Sequence, residues 1–310
     1  MKKHFRELSV TAALLLMLAM LAVFAPAFFQ PQPLLSLATR EAPTLVVACG
    51  MALVIISRQI DISVGSQFSV CGVCAGLLAA SGWPLAATLP AAVGAGALLG
   101  AVNGALIAGL GLPSIVVTLA MMVTLRQGLN LARQGQFVNL PDGVQWFGFG
   151  QSSGQWLIVS FALLLLVALA LAMRHLAAGR FIHAIGSDAE AARLAGIRPR
   201  LGMFFVFVLM GALTGLAAML NVVQSPQVQP LSGLGLELKV IAAVVVGGVA
   251  ISGGRGNLWG VFAGLLLLAC IGPALTHLRV EAYWEKAIQG AIILLAVVAD
   301  GIRSRRGGGG

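Results

Sequence analysis

Charged side chains are scarce in this sequence: Asp, Glu, Lys and Arg make up 9% of 310 residues. Soluble domains carry about a quarter, so a soluble globular fold is excluded. The motifs of common catalytic sites are missing as well. There is no G-x-S-x-G, no H-E-x-x-H and no G-x-x-x-x-G-K-[ST] phosphate loop. The histidines His4, His175, His183 and His277 are scattered, with no cysteine or carboxylate cluster beside them, so no metal set is expected. An enzyme is not expected, and neither is a cofactor bound by this chain. Carboxylates are nearly absent from the apolar runs, where Asp61 falls at a turn and Asp300 at an end. The net charge is +9, but no aromatic-rich basic face accompanies it, so nucleic acid is set aside.

Cysteine is also sparse. Cys49, Cys71, Cys74 and Cys270 all lie inside apolar stretches. Cys71 and Cys74 form a C-x-x-C whose spacing puts both on one helix face. Metal binding or redox chemistry is one reading. Packing of small residues in a membrane helix is the preferred one, because a second ligand pair is missing.

What fills the chain is hydrophobic residues, 59% of the total, in continuous rather than alternating runs. A run of about 20 apolar residues spans the hydrocarbon core as a helix, and continuity argues against barrel strands. The expected fold is an all-α polytopic membrane protein forming one permease-like domain over 1–310. About ten spans are expected, at 10–29, 44–56, 64–80, 85–110, 113–131, 156–173, 203–223, 240–251, 258–275 and 287–300. The spans at 44–56 and 240–251 are short, and either could be re-entrant. The start of the chain resembles a signal peptide, with Lys2, Lys3 and Arg6 before the first run and the cleavage-like Ala25-Pro26-Ala27 near its end. The run is long for a signal peptide and is read as an uncleaved first span.

Basic residues test this count. They cluster before the first span, in the 174–200 loop, and at Arg303, Arg305 and Arg306 in the 301–310 tail. Positive charge marks the cytoplasmic side. Six spans and then four separate these clusters, so both ends and the 174–200 loop fall inside together. The segments 30–43, 132–155, 224–238 and 272–285 then fall outside. The two short spans share a texture, each breaking into a polar turn: Ile60-Asp61-Ile62-Ser63-Val64-Gly65-Ser66 after one and Ile251-Ser252-Gly253-Gly254-Arg255-Gly256 after the other. Paired broken segments point to a transport path built on an internal repeat. Gly94, Gly96, Gly100 and Gly104 suit close helix packing.

Several residues are candidates for such a path. Asp61, Ser63 and Ser66 either shape its turn or hydrogen-bond a broken helix end. Asn103 and Asn221 lie in spans, with Arg126 and Asn130 near the end of another. Polar groups at that depth face protein or water, and bind a hydroxylated substrate or join helices. Glu237 and Lys239 either pair with each other or meet a partner at the outer surface.

In the 174–200 loop, Ser187-Asp188 suits a helix cap. Ala189 to Ala195 is strongly helix-forming, and Gly196 ends it. A short exposed helix there either docks into a partner or rests on anionic lipid.

Glu190-Ala191-Ala192 with Gly196 resembles the E-A-A-x-x-x-G core of ATP-binding-cassette importer permeases. The later part of that motif is missing or altered. Gly179-Arg180-Phe181-Ile182-His183-Ala184-Ile185-Gly186, the Ile60 to Ser66 run, Asn103-Gly104 and Pro113-Ser114-Ile115-Val116-Val117-Thr118-Leu119 resemble the ribose/xylose-type permeases. So do Gly235-Leu236-Glu237-Leu238-Lys239, Gly253-Gly254-Arg255-Gly256 and the Ile293 to Asp300 run. The nearest look is to autoinducer-2 or rhamnose permeases. The resemblance implies coupling to the ATPase through Glu190, Ala191, Ala192, Arg193 and Gly196. It implies ATP and Mg on a separate cytoplasmic ATPase, a periplasmic sugar-binding protein, a second permease subunit, and a place in the bacterial inner membrane. The alternative class is an ion-coupled secondary transporter of a small polar solute, which the shortage of membrane carboxylates disfavours. A third is a membrane scaffold.

Overall fold

The computed structural model describes residues 5–277 and, beyond them, 281, 283, 284, 286–292, 294 and 298. The chain is helical. In order come α1 (Phe5–Phe24), α2 (Pro31–Ile56), α3 (Val64–Ala80), α4 (Leu85–Gly104), α5 (Ser114–Arg133) and α6 (Gln151–His175). They are followed by α7 (Ala177–Ser187), α8 (Ala189–Leu194), α9 (Pro199–Val222), α10 (Leu236–Val246) and α11 (Leu258–His277). A π-helical turn, Ala105–Gly109, extends α4. One antiparallel bridge joins Val138 to Val228 and Asn139 to Gln227.

Among the described residues, six helices are long and apolar enough to cross a membrane: α2, α4 with its π turn, α5, α6, α9 and α11. The apolar segment 10–24 of α1 and all of α3 are shorter. Of the expected tenth span at 287–300, residues 287–292, 294 and 298 are described and helical; the rest of it and the 301–310 tail lie outside the described residues, so ten crossings are not established.

Two of the expected spans change. The one at 44–56 is not short, because α2 runs unbroken for 26 residues, or about 39 Å. Its first turns contain Arg40, Glu41 and Pro43, which in sequence look like a break. Pro43 has no N–H to give the Thr39 carbonyl. Gln224 Nε2 donates to that carbonyl instead, at 3.2 Å, and the helix continues. The other, α10, spans 11 residues, about 16 Å, roughly half the hydrocarbon core. It does not cross.

Helix α2 is the centre of the bundle: 94% of its apolar window is buried, and it packs on α6, α9, α10 and α11. Helix α4 lies along α9 through its small residues. A Cβ at Gly96 would overlap the Gly211 carbonyl, one at Gly100 the Phe207 carbonyl, and one at Gly215 the Ala92 carbonyl. Backbone therefore meets backbone along several turns, which only glycine permits. Gly94, on the same helix, faces open space.

Gly96→Leu and Gly211→Leu are expected to cost more than ~3 kcal/mol, beyond ordinary overpacking, because the obstacle is main chain. Gly94→Leu is expected to stay within ~0.5 kcal/mol of the parent. Thermal unfolding of the detergent-purified variants measures the difference.

Candidate functional site

The 174–200 loop folds into two helices, where one was expected. Helix α7 turns back from α6 after a single extended residue, Leu176. The corner is tight because a Cβ at Gly179 would overlap the Met173 backbone. Asp188 then caps α8, its Oδ1 accepting from the N–H groups of Glu190 at 2.9 Å and Ala191 at 3.0 Å. Gly196 closes the helix at φ +84°. Its N–H donates to the Arg193 carbonyl and that of Ile197 to the Ala192 carbonyl, both at 3.0 Å, a Schellman ending. Both the cap and the stop agree with the sequence reading.

On the exposed face of α8, Arg193 holds Glu190 with two bonds, Nε to Oε2 at 2.9 Å and Nη2 to Oε1 at 2.6 Å. The guanidinium bonds hold the Glu190 carboxyl below the usual carboxylate range. The pair therefore persists as pH falls through that range and is lost below it.

The far end of α7 reaches the two broken turns. Gly186 lies against the Ile56 carbonyl at the end of α2, where any Cβ would overlap it. The same carbonyl accepts from the Gly254 N–H at 2.8 Å. His183 Nδ1 donates to the Gly254 carbonyl at 3.1 Å. Gly253 and Gly254 hold φ of +83° and +72°, and Arg58 holds +64°, so both turns use left-handed backbone to make the approach. The turn after α2 also receives Ser114 and Thr118 from α5, with Ile60 N–H donating to Ser114 Oγ at 3.3 Å and Thr118 Oγ1 to the Ile60 carbonyl at 3.4 Å. The similar textures of the two turns thus correspond to contact between them.

Asp61, Ser63 and Asn103 come together, joined by Gln67, which sequence reasoning did not single out. All four are fully buried. Asp61 Oδ1 accepts from Ser63 N–H at 2.9 Å and from Ser63 Oγ at 2.5 Å. The amides of Gln67 and Asn103 donate to Ser63 Oγ at 2.7 and 2.9 Å. Ser66 stands apart, donating to the Met122 carbonyl at 2.9 Å. Asn221 is in the last turn of α9 and half-buried, at the other end of that helix from Met203, which meets Gln59 of the α2 turn.

At the opposite end of α2 lies a cavity of about 1310 Å³, lined by Arg40, Glu41, Thr44, Glu237, Lys239 and Lys286 among others. Glu237 and Lys239 do not pair with each other. Two residues apart on α10, they point in different directions. Lys239 Nζ lies 2.8 Å from Glu41, and Glu237 Oε1 lies 3.2 Å from Arg126 Nη2. Gly65 leaves room for the Glu237 carboxylate. Glu41 and Glu237 are both buried, so carboxylates inside the bundle are more numerous than the sequence reading allowed, and their scarcity does not itself exclude ion coupling.

A family profile described as "Branched-chain amino acid transport system / permease component" matches residues 34–297. The chain belongs to this permease family. It is therefore a transport subunit and not an enzyme. The permease is 33% identical over 304 residues to the ribose import permease RbsC of Escherichia coli K12, covering 96% of this chain and 95% of the relative. It is 34% identical over 301 residues to the autoinducer 2 import permease LsrC of Klebsiella pneumoniae, covering 96% and 86%. It is 30% identical over 307 residues to a probable ABC transporter permease, y4mJ, of Sinorhizobium fredii, covering 97% and 91%. No solved structure matches it.

The permease's Glu41 and Arg126 are the partners that sequence reasoning missed or left unassigned. Their signal was a charge inside an otherwise apolar stretch. Lys239→Ala is expected to lower stability by ~2–4 kcal/mol, because it leaves the buried Glu41 carboxylate only the exposed Arg40, 3.7 Å away. The double variant Glu41→Leu with Lys239→Met is expected to recover most of that loss, as read by thermal unfolding in detergent.

Proposed function

We propose that the permease is the membrane subunit of an ATP-driven importer that moves a monosaccharide or an autoinducer-2-like polyol from periplasm to cytoplasm. The observation that carries this reading is the α7–α8 element. It presents an exposed, doubly capped helix on one side and touches the turns after α2 and α10 on the other. A separate cytoplasmic ATPase, carrying ATP and Mg, docks on Glu190, Ala191, Ala192, Arg193 and Gly196. ATPase closure displaces α8, and α7 passes the displacement to both turns.

The substrate class follows from relatives named for ribose and autoinducer 2, at about a third identity over nearly the whole chain. The polar cavity at the other end of α2 is the entrance, and Glu237 and Lys239 belong to it. There a periplasmic sugar-binding protein delivers substrate, and a second permease subunit completes the path. Asp61, Ser63, Ser66 and Asn103 act on that path by fixing the shape of the turn that bounds it, with Asn221 near its outer end. The chain lies in the bacterial inner membrane with both termini cytoplasmic. That arrangement needs about ten crossings, the even count the basic clusters require.

The α8 pair provides the sharpest test. Glu190→Lys alone sets two cations at i,i+3, whereas Glu190→Lys with Arg193→Glu restores a pair of reversed polarity. If α8 docks by charge, both variants insert normally, and both lose at least ~10-fold in ATPase co-purification and in ATP-dependent uptake of labelled sugar into vesicles, a loss of about 1.4 kcal/mol. Gly196→Leu behaves likewise. Uptake driven by a proton gradient without any ATPase would overturn the reading in favour of ion coupling.

A further inference from the structure

The cavity beside Arg40 and Glu41 of α2 has a charge that its own residues do not balance. Arg40, Lys239 and Lys286 line it, against Glu41 and Glu237. Both carboxylates are already engaged. Lys239 Nζ lies 2.8 Å from each oxygen of Glu41. The Glu237 carboxylate is directed at α5 and α3, with Oε1 3.2 Å from Arg126 Nη2 and Oε2 against Gly65. Arg40 is left with a 3.7 Å approach to the already paired Glu41, and its side chain is 66% exposed. Lys286 is exposed and, among the described residues, has no acidic partner.

The start of α10 adds donors to the same cavity. Gly235 offers no side chain to cap the helix. Among the described residues, the N–H groups of Glu237 and Leu238 find no acceptor, and both residues line the cavity. A carboxylate in this first turn would offset the positive end of the helix dipole, but Arg126 holds that of Glu237 elsewhere. Thr44 is an independent sign. It is 7% exposed and lines the cavity, one turn after Arg40 on the same face of α2. Its hydroxyl makes no hydrogen bond to a described residue, whereas Thr39 bonds the Leu35 carbonyl at 2.7 Å. A buried hydroxyl without a partner is unfavourable. The unused groups are therefore a guanidinium, an ammonium, a hydroxyl and two backbone N–H groups, all able to donate.

We propose that this cavity binds an oxyanion, a phosphate or a carboxylate, with Arg40, Thr44, Lys286 and the open start of α10 as its donors. Helix starts and basic side chains together are a common setting for such groups. A neutral sugar would leave both spare cations uncompensated and would bring hydroxyl donors to carboxylates already paired. At about 1310 Å³ the cavity also has room for the molecule that carries the oxyanion. That chemistry has two sources. One is an acidic monosaccharide, which rests on the reading of this cavity as the entrance and narrows the substrate class. The other is the headgroup of an anionic phospholipid, which does not rest on that reading.

The test uses no ATPase, so loss of the import reading and loss of this site are separate results. Full-length permease in phosphatidylcholine nanodiscs is unfolded by heat with ribose, ribose 5-phosphate or gluconate at equal ionic strength. A second series omits solute and adds phosphatidylglycerol to the nanodiscs. At least one oxyanion source is expected to raise Tm saturably by about 2–4 °C, and ribose by less than ~1 °C. Arg40→Gln and Lys286→Gln, both at exposed side chains and so compatible with folding, are each expected to raise the half-saturating amount at least ~10-fold, and Thr44→Val at least ~3-fold. A shift from the acidic sugars alone assigns the site to solute, and one from phosphatidylglycerol alone assigns it to lipid. Ribose matching ribose 5-phosphate, no shift from any oxyanion source, or a shift that survives both cation variants would overturn the proposal.

Discussion

Main-chain contact between α4 and α9 is the constraint on which the rest of the arrangement depends. With Gly96, Gly100, Gly211 and Gly215 at the crossing, the two helices lie closer than side chains would allow. That proximity fixes the rotation of both. It turns Asn103 of α4 inward toward Asp61, and it brings Met203 at the start of α9 to Gln59. In lipid, apolar surface drives helices together weakly, so close fit and interhelical hydrogen bonds do most of the organising. The polar cluster and the turn contacts are the hydrogen-bonded part of the same arrangement.

The two ends of α2 handle charge differently. At one end, Glu41 and Glu237 meet Lys239 and Arg126 from other helices, and each pair is partly open to a cavity. At the other end, Asp61 has only neutral polar neighbours. A paired charge beside a cavity tolerates hydration and can exchange partners. A secluded carboxylate enforces one local geometry. The contrast sets an end where charges can rearrange against one where the turn keeps a single shape.

Local signals in the sequence were read well and distant ones were not. Helix α3 has the bounds its apolar run suggests, and the Asp188 cap and Gly196 stop of α8 follow from their own residues. Helix α2 was cut short because Arg40, Glu41 and Pro43 look disruptive in isolation. What makes them tolerable is Lys239, 198 positions away, and Gln224. Helix α7 was missed because its polar and basic residues resemble a solvated loop until they are packed against the turns. Of the site residues, Asp61, Ser63 and Asn103 were named without a sign that they meet, and Gln67 passed as one more residue of an apolar helix. A hydrogen-bond partner on another helix leaves no periodicity in the sequence.

Helix α2 carries one further consequence. Its ladder is interrupted at Pro43, and the freed Thr39 carbonyl is held by Gln224, a side chain beyond the end of α9 and 185 positions along the chain. The bending stiffness of the central helix at that level is therefore not a property of the helix. It is lent by the loop that follows α9, and whatever displaces that loop softens the middle of the bundle.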